Sequence, residues 1–191
     1  MTGKKEELEA IFTEVEKCAA YHQLNQTATL RLRLLAEEMV EMLPSLLENA
    51  EGSFWLENNG KKFELHLSVK ANRVDLDARD KLIAISTSGK NAAAVGIMGK
   101  IRAAAETMLL ASQDVAGLVD FADMDNLDMV ASGAYSLQWS LRYYAQNVKK
   151  DAENKEAWDE LEKSVIANLA DDVIVGVKGN QVDIIVCKEF Q

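Results

Sequence analysis

Leu8, Ile11, Phe12, Val15, Cys18 and Ala19 recur at helical spacing and are continued by His22, while Lys4, Lys5, Glu6, Glu7, Glu9, Glu14, Glu16 and Lys17 fill the opposite side. That pattern predicts an amphipathic helix. Asn25-Gln26-Thr27 interrupts it, and Thr27 is the expected N-cap of a second helix. The second helix carries Leu30, Leu34, Leu35, Met39, Met42 and Leu43, with Leu32 and Val40 widening the stripe, so burial over much of its girth is expected. Pro44, the single proline, should end or kink it by removing a backbone donor and crowding the preceding turn.

Period-two patterns follow. Phe54–Asn58 and Lys61–Val69 flank Asn59-Gly60, a strong hairpin signal because both residues tolerate positive φ. A two-residue loop there predicts Leu56 opposite Phe63, Phe54 opposite Leu65, and a favourable Glu57–Lys62 cross-strand pair. Val74, Leu76 and Ala78 alternate with charged residues, and Lys81–Ser86 reads as a more buried strand. Ser88-Gly89-Lys90-Asn91 then offers caps for an Ala-rich helix from Ala92 to Ala111, interrupted by Gly96 and Gly99 at about 1 kcal/mol each relative to Ala.

From Asp114 to about Asn154 the pattern is helical but less regular, with one stripe of Leu127, Val130, Ala134, Leu137, Leu141, Tyr144 and Val148, and with Trp139 and Tyr143 on another side. Asn154 is the expected cap of a last helix holding Trp158, Leu161, Val165, Ile166 and Leu169. A second hairpin closes the sequence. Its Gly179-Asn180 loop pairs Val177 with Val182, Val175 with Ile184 and Val173 with Val186. Because strands come in hairpins, the expected fold class is α+β: a two-layer α/β sandwich with a mixed or antiparallel sheet and helices on one face. Residues 1–191 read as a single domain with a helical insertion at about 114–154.

Charge narrows the function. Twenty-one Lys plus Arg against 31 Asp plus Glu gives a net charge of −10, which repels phosphate backbones and argues against nucleic-acid binding. No apolar run approaches the roughly 20 residues of a membrane span, and the start lacks a signal-peptide pattern, so the expected address is cytoplasmic. Cys18 and Cys187, the only cysteines, read as small buried apolar residues in a reducing compartment.

Candidate chemistry is sparse. Gly96-Ile97-Met98-Gly99-Lys100 lacks a phosphate loop's first glycine (Ala94) and its Ser/Thr after the lysine (Ile101), so close helix packing is the plainer reading. Asp123, Asp125 and Asp128 are not a calcium loop, because Asp128 stands at the glycine position and Ala134 at the closing glutamate. His22 and His66 are the only histidines and sit on an apolar helical stripe and an outward strand face; no metal set is expected from them. Glu37, Glu38 and Glu41 lie in the middle of the most apolar helix, either as its polar edge or as a pocket wall.

Leu34-Leu35-Ala36-Glu37-Glu38-Met39-Val40-Glu41-Met42 resembles the N-box helix of the histidine-kinase-like (GHKL) ATPase superfamily. Ser164–Val173 and the Gly179-Asn180 hairpin resemble the closing helix and strands of its anti-sigma factor kinase branch, and Gly96–Gly99 sits where a degenerate glycine-rich lid box would fall. The resemblance implies a histidine-kinase-like ATPase fold, with Glu38, Glu41, Gly96 and Gly99 as the positions nearest a nucleotide. It is a degenerate likeness. Met42 stands where the family keeps its magnesium-holding Asn, and Lys70-Ala71-Asn72-Arg73 stands where its adenine-reading Asp-x-Gly-x-Gly box belongs. A thioether does not coordinate a hard cation. The expectation is therefore a regulatory or protein-binding module without ATPase or kinase activity, and without a catalytic residue, metal or cofactor. Its expected partner is a protein of the sigma-factor or anti-anti-sigma type, or its own copy through the N-terminal helices. The enzymatic alternative is a divergent ATP- and magnesium-binding protein serine kinase, with Glu38 as its base. A third reading is a plain α+β interaction domain.

Overall fold

A computed structural model describes residues 2–41, 51–70, 96–112, 137–150 and 155–191. Several expectations fall outside them: the strands at 74–79 and 81–86, the caps at 88–91 and Asn154, most of the 114–154 stretch, and Met42 and Pro44.

Helix α1 spans Thr2–Tyr21 and α2 spans Gln26–Glu41. Between them Gln23 adopts a left-handed conformation (φ 55°), while Leu24 N–H donates to the Ala19 carbonyl and Gln23 N–H to the Ala20 carbonyl, each at 3.0 Å. This is a Schellman closure built without glycine. The N-cap of α2 is Asn25, not Thr27: its Oδ1 accepts the Ala28 N–H at 2.9 Å, leaving Thr27 inside the first turn.

Strands β1 (Glu51–Asn59) and β2 (Lys62–Lys70) form the first hairpin, and β4 (Asp172–Lys178) and β5 (Gln181–Glu189) the last. Between the hairpins come α3 (Gly96–Ser112), β3 (Leu137–Ser140), α4 (Leu141–Lys150), α5 (Lys155–Lys163) and α6 (Val165–Leu169). The chain is mixed α+β. Among the described residues, five strands form one antiparallel sheet in the order β1-β2-β5-β4-β3.

The last hairpin pairs as its sequence predicts, Val177 with Val182, Val175 with Ile184 and Val173 with Val186. The first is displaced by two residues: Leu56 faces Leu65, Phe54 faces Leu67, and Glu57 faces Glu64, not Lys62. Its loop is Gly60-Lys61, because Asn59 still pairs with Lys62. Only Gly60 has positive φ (63°), as only Gly179 does (62°) at the other turn. Both hairpins thus place glycine at the first loop position, where one residue must be left-handed, and neither uses the two consecutive positive φ values that Asn-Gly invites. A shift of two keeps every side chain on its expected face.

Two further expectations are corrected. Residues 137–140 are a strand paired with β4, with Trp139 opposite Val175, so the helical pattern from 114 is broken there; α4 begins at Leu141. The last helix is two helices divided at Ser164, whose Oγ accepts the Ala167 N–H at 3.2 Å and caps the second. A hydroxyl one turn before its partner amide restarts a helix more readily than it continues one.

One face of the sheet carries Phe63, Leu65, Leu67 and Val69 of β2, Val182, Ile184 and Val186 of β5, Val173, Val175 and Val177 of β4, and Trp139 of β3, all buried. Leu32, Leu35, Ala36 and Met39 of α2 and Ile97, Ile101, Ala104, Ala105 and Met108 of α3 complete the same core. Each large side chain here contributes about 1.5–3 kcal/mol by leaving water. The other face carries half-buried His66, Ile174 and Ile185 in one cross-strand row, and Glu64, Cys187 and Asp172 in the next.

Candidate functional site

The positions singled out in the sequence fall into two pairs, each brought together by its own helix. Glu38 and Glu41 are on α2; Gly96 and Gly99 open α3. Glu38 is half-buried and Glu41 exposed. Burial pushes the Glu38 carboxyl above its ordinary range, and the charges of Glu41 and Glu37 push the same way. Glu37 faces α1: it accepts from Arg33 Nε at 2.8 Å, while Arg33 also donates to Glu16 and lies 5.5 Å from the centre of the Phe12 ring. Next to this acidic edge, Met39 is fully buried in the helix–sheet core. The middle of the helix is packed through its apolar positions.

At the start of α3, Gly96 has φ 77° and its N–H donates to Glu160 Oε1 at 3.1 Å. Gly99 is buried three residues on. A helix N-terminus attracts an anion, and here the chain supplies the carboxylate itself. The other oxygen of Glu160 is buried and has no hydrogen-bond partner among the described residues. Burial and the Glu160 charge push the Tyr144 hydroxyl up to about 12. A phosphate brought to Gly96 would have to displace or repel Glu160.

A separate constellation lies on the outward face of the first hairpin. Trp55 pairs with His66 and stacks on its ring, centroids 4.8 Å apart and planes within 7°. Glu57 stands opposite Glu64. His66 Nε2 lies 3.9 Å from Glu57 Oε2 and 3.7 Å from Glu64 Oε2, and although buried it has no hydrogen-bond partner among the described residues. Glu57 Oε1 accepts from Trp55 Nε1 at 2.9 Å, and Glu64 Oε1 from Lys62 Nζ at 2.7 Å. Sequence reasoning missed this group because the expected register placed Lys62 across from Glu57. The signal available was acid, acid and imidazole at alternate positions on facing strands, legible only with the loop correctly placed.

No protein-family model, curated protein or solved structure matches the chain. Among the described residues, no helix is long and apolar enough to cross a membrane.

Proposed function

We propose that this chain is a cytoplasmic regulatory module on a degenerate histidine-kinase-like ATPase fold, binding a protein partner without turning over ATP. The observation that carries this reading is the Glu160–Gly96 hydrogen bond. The helix start that the resemblance assigns to phosphate has the chain's own carboxylate upon it. Met39, fully buried beside the acidic edge of α2, supports the same view, and so does Met42 in place of a magnesium-holding amide. The partner is a protein of the sigma-factor or anti-anti-sigma type, or a second copy, meeting the turn between α1 and α2. Tyr21 and Leu30 are 82% and 56% exposed on either side of that turn.

One observation favours the enzymatic alternative, a divergent ATP-binding protein serine kinase. Glu38 is held above its ordinary range, as a carboxyl tuned for proton transfer would be.

Calorimetric titration with ATP and magnesium separates the two. The module reading expects no binding tighter than about 1 mM. Micromolar, magnesium-dependent binding abolished by Glu38→Ala overturns it in favour of the kinase. On the positive side, a partner trapped by cross-linking should rebind when both proteins are purified, and Leu30→Asp should release it.

A further inference from the structure

We propose that Glu57, Glu64 and His66 form a binding site for a divalent transition-metal ion, zinc by preference, on the outward face of the β1–β2 hairpin. The three donor atoms already converge, all within 4.8 Å of one another. Zinc with bonds of about 2.0–2.2 Å holds tetrahedral donors roughly 3.3–3.6 Å apart. The His66 contacts of 3.7 and 3.9 Å are thus a small contraction from closure. Both are too long for direct hydrogen bonds.

Two features of the surroundings point the same way. Each carboxylate has its Oε1 held by a neighbour, Trp55 for Glu57 and Lys62 for Glu64. In both, Oε2 is the oxygen nearest His66 Nε2. Hydrogen bonds of this kind are what orient metal-binding carboxylates. The stacked Trp55 ring fixes the imidazole plane in turn. Glu57 and Glu64 are also like charges in direct cross-strand register, an unfavourable pair that a cation between them makes favourable. One imidazole and two carboxylates suit zinc and its first-row neighbours, whereas magnesium and calcium prefer oxygen alone. Three protein donors leave a fourth position for water, and the Glu57 side chain, 62% exposed, leaves an entry path. The ion would tie β1 to β2.

The test is calorimetric titration of the full chain, first dialysed against chelator, with zinc chloride alone, using magnesium and calcium chloride as comparators. One equivalent of zinc should bind and neither comparator should. Glu57→Gln should weaken binding at least tenfold and His66→Ala should abolish it. Trp55→Phe, which keeps an aromatic ring but loses the N–H to Glu57, should weaken it about tenfold. His22→Ala and Cys18→Ala should leave it unchanged. Glu57→Gln alters an exposed side chain, so it carries the test even if His66→Ala fails to fold. Zinc binding weaker than about 100 µM, binding indifferent to Glu57→Gln, or equal uptake of calcium would overturn the proposal.

Discussion

The carboxylate of Glu160 accepts the backbone N–H of Gly96 from 64 residues further along the chain, closing the first turn of α3 with a side chain from α5. A glycine whose amide is held this way at φ 77° is conformationally committed. Among the described residues nothing lies within 4 Å of where a β-carbon would stand, so there it is the backbone angle that resists a side chain. Glu160→Ala should cost about 1–3 kcal/mol through the orphaned amide, and Gly96→Ala about 1–2 kcal/mol through left-handed strain. Urea unfolding midpoints measure both. An unchanged midpoint for Glu160→Ala would break the link between α3 and α5.

Glu38 gives a pH-dependent test. Its carboxyl is raised by burial first and by Glu41 and Glu37 next, so the folded state holds its proton more tightly than the unfolded chain does. The stability it contributes is full below the ordinary glutamate value and is lost as pH climbs through the raised one. Glu38→Gln should therefore raise the melting temperature at pH 7 and change it little at pH 4. A gain of equal size at both would show that the charge is not the cause.

Asp171 runs in the opposite sense. Burial pushes its carboxyl up, but the Lys188 ammonium at 2.8 Å, the Glu189 N–H at 2.6 Å, and the charges of Lys188 and Arg142 outweigh that and hold it below its ordinary value. Its contribution is present above the ordinary aspartate value and lost as pH falls through the depressed one. Stability measured from pH 5 downward should fall less steeply in Asp171→Asn than in the parent. Parallel curves would remove Asp171 from the acid transition.

Met39 tests the packed helix–sheet layer. It is fully buried in the core between the helices and the sheet, so Met39→Ala should cost about 2–5 kcal/mol by leaving a cavity. Met39→Leu, of similar volume, should cost less than about 1.5 kcal/mol. Chemical denaturation distinguishes them. A pair of near-zero values would mean that this side chain does not seal the core.

How much of this was legible in the sequence depended on the range of the deciding interaction. The terminal hairpin could be paired correctly because its turn and its apolar face agree on one register. In the first hairpin both registers preserve the faces, and Asn-Gly favoured the wrong one; two residues of slip concealed the Trp55–His66 stack and the Glu57–Glu64 opposition. Leu137 and Leu141 continue a helical period that predicts helix through Leu137–Ser140, whereas the deciding pairing is with distant Ile174–Val177. Met39 is legible as an apolar position on α2, where it is buried. Nothing in the local sequence marks Glu160 as the partner of Gly96, since that contact exists only once α3 and α5 are assembled.

The ladder between β2 and β5 has a consequence for biosynthesis. It pairs Ser68 with Asp183 and Lys70 with Gln181, and Gln181 Nε2 donates to Ser68 Oγ at 3.0 Å across 113 residues of sequence. While the polypeptide is being translated, the early hairpin is a two-stranded ribbon without its lateral neighbour, and such ribbons are marginal in water. The apolar side chains of α2 must wait for the final hairpin to leave the ribosome before the layer beneath them is complete. During that interval its apolar surface stays open to solvent, the condition under which folding intermediates aggregate.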